Sequence, residues 1–239
     1  MATLSDEEVN RLLIALRPLR LIVTGGGTSG GACSAPAVAR AAERRLGDLG
    51  IGLEVLWIGS DGGPEELIAS EEGIAFHAVA CGAFRRERTT VERTPANPAK
   101  TLLGLPRAVA QARSAVARFR PDVVLSAGGD AAVPVGVAAR LCGRPLVVHE
   151  ETGRPGPAER VLAGVATRVS VPEPATPEDE ATGGGPGTVR SPLLRNADAC
   201  PSTSRHPREP DRQRAAQDLA DLLLRTMRPD PGRLPLELF

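Results

Sequence analysis

Leu19–Gly31 reads LRLIVTGGGTSGG and is followed by PAVARAAERRLGDLG at Pro36–Gly50 and LEVLWIGS at Leu53–Ser60. The first run is apolar from Leu21 to Val23 and breaks on glycines straight into a helix-forming stretch, as a strand covered on both faces does. Strand, glycine turn, helix and strand make a βαβ unit, whose two strands are parallel. Working outward, GIAFHAV predicts a third strand at Ile74 to Val79, and a helix follows from about Ala99 to Arg120. Then PDVVLSAGG, PVGVAARLCG, RPLVVHEE and ERVLAGVATRVSVPE repeat the order strand, turn, helix, strand up to residue 172. The fold class is therefore α/β, a single Rossmann-like, doubly wound parallel sheet.

The flanks are simpler. Ser5-Asp6-Glu7-Glu8 is a capping box that predicts an amphipathic helix to about Leu16, so residues 1–18 form an N-terminal helical segment ahead of an α/β domain at 19–195. Within that domain, residues 173–187 (EPATPEDEATGGGPG) are acidic and rich in Pro and Gly, the composition of a mobile loop. Residues 196–210 read as a linker to a C-terminal helix at 211–228, where Ala215, Leu219, Leu222, Leu223 and Met227 recur at helical spacing. One apolar stripe cannot form a domain alone, so this helix is expected to dock on the α/β body or on a partner.

Composition narrows the function. The chain has 239 residues, with 29 basic and 29 acidic side chains that cancel, so no whole-protein field attracts nucleic acid. No run approaches the ~20 apolar residues that span a bilayer. The first residues lack the basic start and apolar run of a secretory signal. Cys33, Cys81, Cys142 and Cys200 lie far apart with no Cys-x-x-Cys pair, which matches neither a zinc site nor a disulfide framework. No metal or cofactor is expected, and the plain reading is free thiols in a reducing cytoplasm. Lys100 is the sole lysine and tyrosine is absent, a skew from which no function follows.

Three places at the carboxyl ends of predicted strands could carry chemistry. The first is Thr24-Gly25-Gly26-Gly27-Thr28-Ser29-Gly30-Gly31. Glycines allow close backbone approach, and the following helix presents free N–H groups and the positive end of its dipole, so the turn suits an anion such as a diphosphate. It also satisfies G-x-G-x-x-G through Gly25, Gly27 and Gly30, with Asp61 just beyond the second strand as a ribose ligand, which keeps a dinucleotide-binding oxidoreductase open. A purely structural tight turn is open as well. The second is Ser126-Ala127-Gly128-Gly129-Asp130, which either shares an anion cleft with the first or merely turns the chain. The third is His149-Glu150-Glu151, where an imidazole beside carboxylates serves as a base or binds a sugar hydroxyl, the alternative being a buried His. His77 and His206 lack such surroundings.

Taken together, TGGGTSGG, EVLWIGS, GIAFHAV, FRPDVVLSAGG, GRPLVVHEE and a late SPLLR resemble the N-terminal, acceptor-side domain of MurG-type glycosyltransferases, over about residues 19–195. That family transfers N-acetylglucosamine from UDP onto an undecaprenyl-diphosphate muramyl-peptide in peptidoglycan assembly. The resemblance implies half of a GT-B fold, with the glycine turns facing the acceptor diphosphate. It places the family's proposed catalytic histidine at Gly31 and its tyrosine at Asp130, and it turns His-Glu-Gln-Asn into His149-Glu150-Glu151-Thr152. His149 and Glu150 are then the remaining catalytic candidates.

After the SPLLR-like hinge the family carries a second domain that holds UDP-N-acetylglucosamine, whereas here only Asn196 to Pro210 intervenes before the terminal helix. The chain thus resembles a MurG-type protein with its donor domain excised. The implied partners are a polyprenyl-diphosphate sugar acceptor and a UDP-sugar donor bound through a partner donor domain. The alternative is a noncatalytic recruiter or regulator of a separate glycosyltransferase subunit. Phe84, Arg85 and Arg86, with Leu102, Leu103 and Leu105 further on, set apolar side chains among cations and suit an anionic membrane surface, peripheral on the inner face. Read without the resemblance, Val109, Val116 and Phe119 are core residues of an ordinary amphipathic helix.

Overall fold

A computed structural model describes residues 18–25, 31–81, 98–149, 157–172, 188–191 and 209–227. Seven strands are described: β1 (Leu19–Thr24), β2 (Leu53–Ser60), β3 (Ala75–Val79), β4 (Val123–Ser126), β5 (Leu146–His149), β6 (Arg168–Pro172) and β7 (Thr188–Ser191). They form one sheet in the order β3-β2-β1-β4-β5-β6-β7, parallel at every pairing. The helices are α1 (Gly31–Gly47), α2 (Pro64–Glu71), α3 (Pro98–Phe119), α4 (Ala132–Leu141), α5 (Pro157–Ala163) and α6 (Glu209–Thr226).

Both faces of the sheet are covered, as the continuous apolar runs require. On one face Leu21, Val23, Trp57, Val123, Leu125 and Val147 pack against Ala35, Val38, Ala41 and Ala42 of α1, Ala69 of α2 and Leu219, Ala220 and Leu223 of α6. On the other, Ile22, Ile58, Val124, Leu146 and Val148 pack against Ala112, Ala115 and Val116 of α3, Val135, Ala138 and Ala139 of α4 and Leu162 of α5. Small residues dominate the helical side of both layers, which lets the helices lie close on the sheet. Burying a Leu or Val side chain contributes ~1.5–3 kcal/mol, so these two layers are the main source of stability.

The chain visits β1, β2 and β3 in one direction and then crosses back to β4, so strand order reverses between β1 and β4. That is the switch point where open α/β sheets leave a crevice at the carboxyl ends of their strands. The register there is tight. Thr24 pairs with Ser126, and the Ala127 N–H donates to the Thr24 carbonyl at 2.8 Å.

At the amino ends of the same strands, Arg20 and Asp122 fasten β1 to the start of β4. The Arg20 N–H donates to Asp122 Oδ2 and the Asp122 N–H to the Arg20 carbonyl, both at 2.8 Å. The Arg20 side chain pairs with Glu54, donates to the Phe119 carbonyl at 3.0 Å and lies 5.4 Å from the Phe119 ring centroid.

Two elements differ from the sequence expectation. β7 extends the sheet by one strand beyond the six expected, immediately after the acidic segment; at four residues with an arginine inside, it carries too little alternation to be read in advance. The C-terminal helix starts at Glu209, two residues earlier than expected, with Pro210 in its first turn, where a missing N–H costs nothing. It docks on the α/β body, packing chiefly on α1, with Arg45 of α1 and Asp221 of α6 paired at 3.3 Å. The expected N-terminal helix, the acidic segment 173–187 and the linker up to residue 208 lie outside the described residues.

Candidate functional site

Both glycine turns leave the sheet at the switch point, from adjacent strands. Thr24 and Gly25 are buried at the end of β1, and Gly31 is the first residue of α1; Gly26, Gly27, Thr28, Ser29 and Gly30 lie outside the described residues. The Gly25 carbonyl accepts a 3.2 Å hydrogen bond from the indole N–H of Trp57, which is fully buried in β2. The first turn is therefore anchored at its start by the chain's only tryptophan. No acidic residue stands in the first turn of α1, where a negative side chain would offset the positive end of the helix dipole.

The second turn is fully described. Gly128 and Gly129 both have φ of 82°, a left-handed pair that bends the chain from β4 toward α4. Gly128 is buried, and Gly129 and Asp130 are half-buried. The Glu159 carboxylate, from the first turn of α5, stands in the space that a Cβ on Gly128 would occupy.

Beneath the turns lies a row of buried polar side chains. Thr24 and Ser126 have no exposed surface, and His149 is 2% exposed. Thr24 Oγ1, Ser126 Oγ and both His149 ring nitrogens are buried without a hydrogen-bond partner among the described residues. Because register partners in a parallel sheet point to the same face, Thr24 and Ser126 face the α3–α5 layer. His149 pairs with Ser170 and faces the α1–α6 layer with Val147. Burial pushes the His149 imidazole down to about 4, against a smaller upward pull from a Ser170 backbone contact, so the ring is neutral near pH 7. Glu150 lies outside the described residues.

A second polar cluster stands at the ends of β2 and β3. Glu65, 2% exposed, accepts the Ser60 N–H at 2.7 Å and leaves its other oxygen unpartnered. A Cβ on Gly59 would collide with Glu65 and Phe76, so only glycine fits against that carboxylate. Burial raises the nearby Cys81 thiol to about 11, helped by the charge of Asp130, so Cys81 is a protonated thiol and not a nucleophile. Asp61 is exposed in the turn after β2. His77 is lowered by burial and then by the charge of Arg118.

Of the expected membrane-facing residues, Phe84, Arg85 and Arg86 lie outside the described residues, as do the side chains of Leu102 and Leu103; Leu105 is half-buried on α3. Further along α3, Val116 is buried, Val109 and Phe119 are half-buried, and Arg107, Arg113 and Arg118 are exposed. Among the described residues no helix is long and apolar enough to cross a membrane, and no group of three or more His, Cys, Asp or Glu could hold a metal ion.

Sequence reasoning had picked out Thr24 and the glycines but missed Trp57, Glu65 and Glu159. A lone tryptophan three residues from the end of the strand next to the first turn was the available signal for Trp57. The other two are charged residues of short helices, and only the packing reveals them.

The fold is a Rossmann-like parallel sheet whose strand order reverses where its two glycine-rich segments leave it. Residues 21–171 match the glycosyltransferase family 28 N-terminal domain, and the chain belongs to that family. It is 38% identical over 152 residues to the UDP-N-acetylglucosamine–N-acetylmuramyl-(pentapeptide) pyrophosphoryl-undecaprenol N-acetylglucosamine transferase of Acidovorax sp. (strain JS42), covering 62% of this chain and 34% of that protein. The same-named transferase of Burkholderia multivorans is 38% identical over 180 residues, covering 73% and 44% respectively. The crystal structure of Acinetobacter baumannii MurG superposes with a TM-score of 0.55 at 25% identity, over 73% of this chain and 45% of that one. The chain thus spans between about a third and a half of the length of these relatives.

Proposed function

We propose that this domain is the acceptor-binding half of a hexosyltransferase that places N-acetylglucosamine on a sugar carried by a polyprenyl diphosphate. The observation that carries the reading is the pair of buried hydroxyls of Thr24 and Ser126, side by side at the switch point and without a hydrogen-bond partner among the described residues. Buried polar groups are normally satisfied, so such a pair marks where a ligand or ordered water belongs. In this reading the backbone N–H groups of Gly25, Gly26, Gly27, Thr28, Ser29, Gly30 and Gly31 hold the diphosphate at the start of α1. Gly128, Gly129 and Asp130 close the cleft opposite.

Transfer requires donor and acceptor in one cleft, so a UDP-sugar must be presented by a second, donor-binding domain. Gly31 cannot act as a base. A buried imidazole lowered to about 4 is a weak one, so His149 and Glu150 orient the acceptor hydroxyl. The stretch from Phe84 to the start of α3 rests on the anionic inner face of the membrane, where the acceptor's lipid lies.

Calorimetric titration with a water-soluble, short-chain polyprenyl-diphosphate sugar tests this directly. Saturable binding is expected, and its absence overturns the reading. The loss of the base position to Gly31 favours a second reading, a noncatalytic partner of a separate transferase subunit. Copurification with such a subunit, together with no transfer when a donor domain is supplied, would select it.

A further inference from the structure

The two glycine turns carry opposite electrostatics. The first leads into α1, whose first turn has no acidic residue. The second has two carboxylates close to it. Glu159 reaches it from α5 and fills the close-approach space at Gly128, and Asp130, in the turn itself, stands near enough to Cys81 to act on its thiol. A left-handed glycine pair opens backbone to a ligand only if nothing else stands there, and here a side chain of the same domain does. Glu159 is half-buried, and its carboxylate stands at Gly128 with no hydrogen bond or ion pair to the described residues.

Resting on the diphosphate reading above, we propose that Glu159 is a built-in competitor for the second glycine turn: its carboxylate occupies the approach at Gly128 and confines a bound diphosphate to the first turn. A tethered anion excludes a free one both by volume and by like charge, and its tether keeps its local concentration high. The second turn then accepts a hydrogen-bond donor, such as a sugar hydroxyl, better than an anion. The cleft is polar end to end, with phosphates on the β1 side and the sugar on the β4 side.

The experiment is calorimetric titration of the whole chain with inorganic pyrophosphate, comparing the parent protein with Glu159→Gln and Glu159→Ala. Glu66→Gln, on the exposed side of α2, removes the same charge away from the turn, and melting curves check that each variant is folded. Both Glu159 variants should bind about tenfold more tightly, and Glu66→Gln should bind like the parent. Equal affinity in the parent and the Glu159 variants leaves the diphosphate site standing and overturns the competitor. Weaker binding by the variants makes Glu159 a ligand contact and also overturns it. No binding by any of the proteins removes the diphosphate reading itself and the competitor with it.

Discussion

The two ends of β1 and β4 are built in opposite ways. At the amino ends Arg20 and Asp122 exchange backbone and carboxylate hydrogen bonds, and the guanidinium is divided among Glu54, the Phe119 carbonyl and the Phe119 ring. Four residues further along the chain on each side, Thr24 and Ser126 are fully buried and have nothing to bond among the described residues. Leaving a buried hydroxyl unpaired costs ~1–3 kcal/mol, so the carboxyl rim holds less stability than its burial suggests. The difference teaches where to look for function: one edge is satisfied within the described residues, and at the other the described residues leave Thr24 and Ser126 without a partner.

Substitutions can break or sharpen this contrast. The largest effect is expected at the joint between rim and core. Trp57→Ala should destabilise the domain by about 3–5 kcal/mol in urea melts, through loss of the buried indole. Trp57→Phe should cost far less stability yet still weaken acceptor-analogue binding, because only the anchor on Gly25 is lost. If the two variants fall equally, the indole N–H plays no part in shaping the turn.

Next comes acid. The folded imidazole of His149 resists protonation down to about pH 4, whereas in the unfolded chain it takes up a proton near pH 6.5. Its contribution is therefore complete above about pH 6.5 and is lost as pH falls toward 4, on the order of 3 kcal/mol across that window. Unfolding curves at several pH values should be less steep with pH in His149→Gln than in the parent.

At the amino edge, Asp122→Ala leaves the Arg20 N–H without its acceptor and should cost about 1–3 kcal/mol while leaving ligand affinity unchanged. The mirror-image result is expected at the rim. Thr24→Val and Ser126→Ala should leave the melting temperature of the ligand-free domain unchanged or raised, because an orphaned hydroxyl is replaced by an apolar group. They should weaken acceptor-analogue binding several-fold, about 1 kcal/mol. A fall in stability without a fall in binding would erase the functional side of the contrast. The smallest effect is Glu54→Ala, at most about 1 kcal/mol, since its pairing with Arg20 is partly exposed.

Much of the fold could be read from the residues alone because parallel strands announce themselves. LRLIVT, VVLS and LVVH are dense apolar runs that end on glycine or on polar residues, and they became three adjacent strands of the sheet core. β7 could not be read that way, since TVRS at an edge needs little apolar surface. The two turns were legible as backbone devices, and their adjacency followed from strand order. The side chains acting on them were not. Glu159 lies 31 residues beyond Gly128 in the chain, and nothing in its own neighbourhood hints at where α5 will set it. Likewise the lack of a partner for Thr24 and Ser126 among the described residues is a property of packing, and the sequence only says that each ends a strand.

β7 ends at Ser191, and α6, which starts at Glu209, lies back across the same body and touches both α1 and β7. Both ends of the intervening stretch are thus fastened to the same layered body. Such an excursion can be lengthened freely, even to the size of a whole folded unit, without any strand or helix of the frame having to change place. The closing helix acts as a buckle, and what hangs from the strap between its two fixings is left open to evolution.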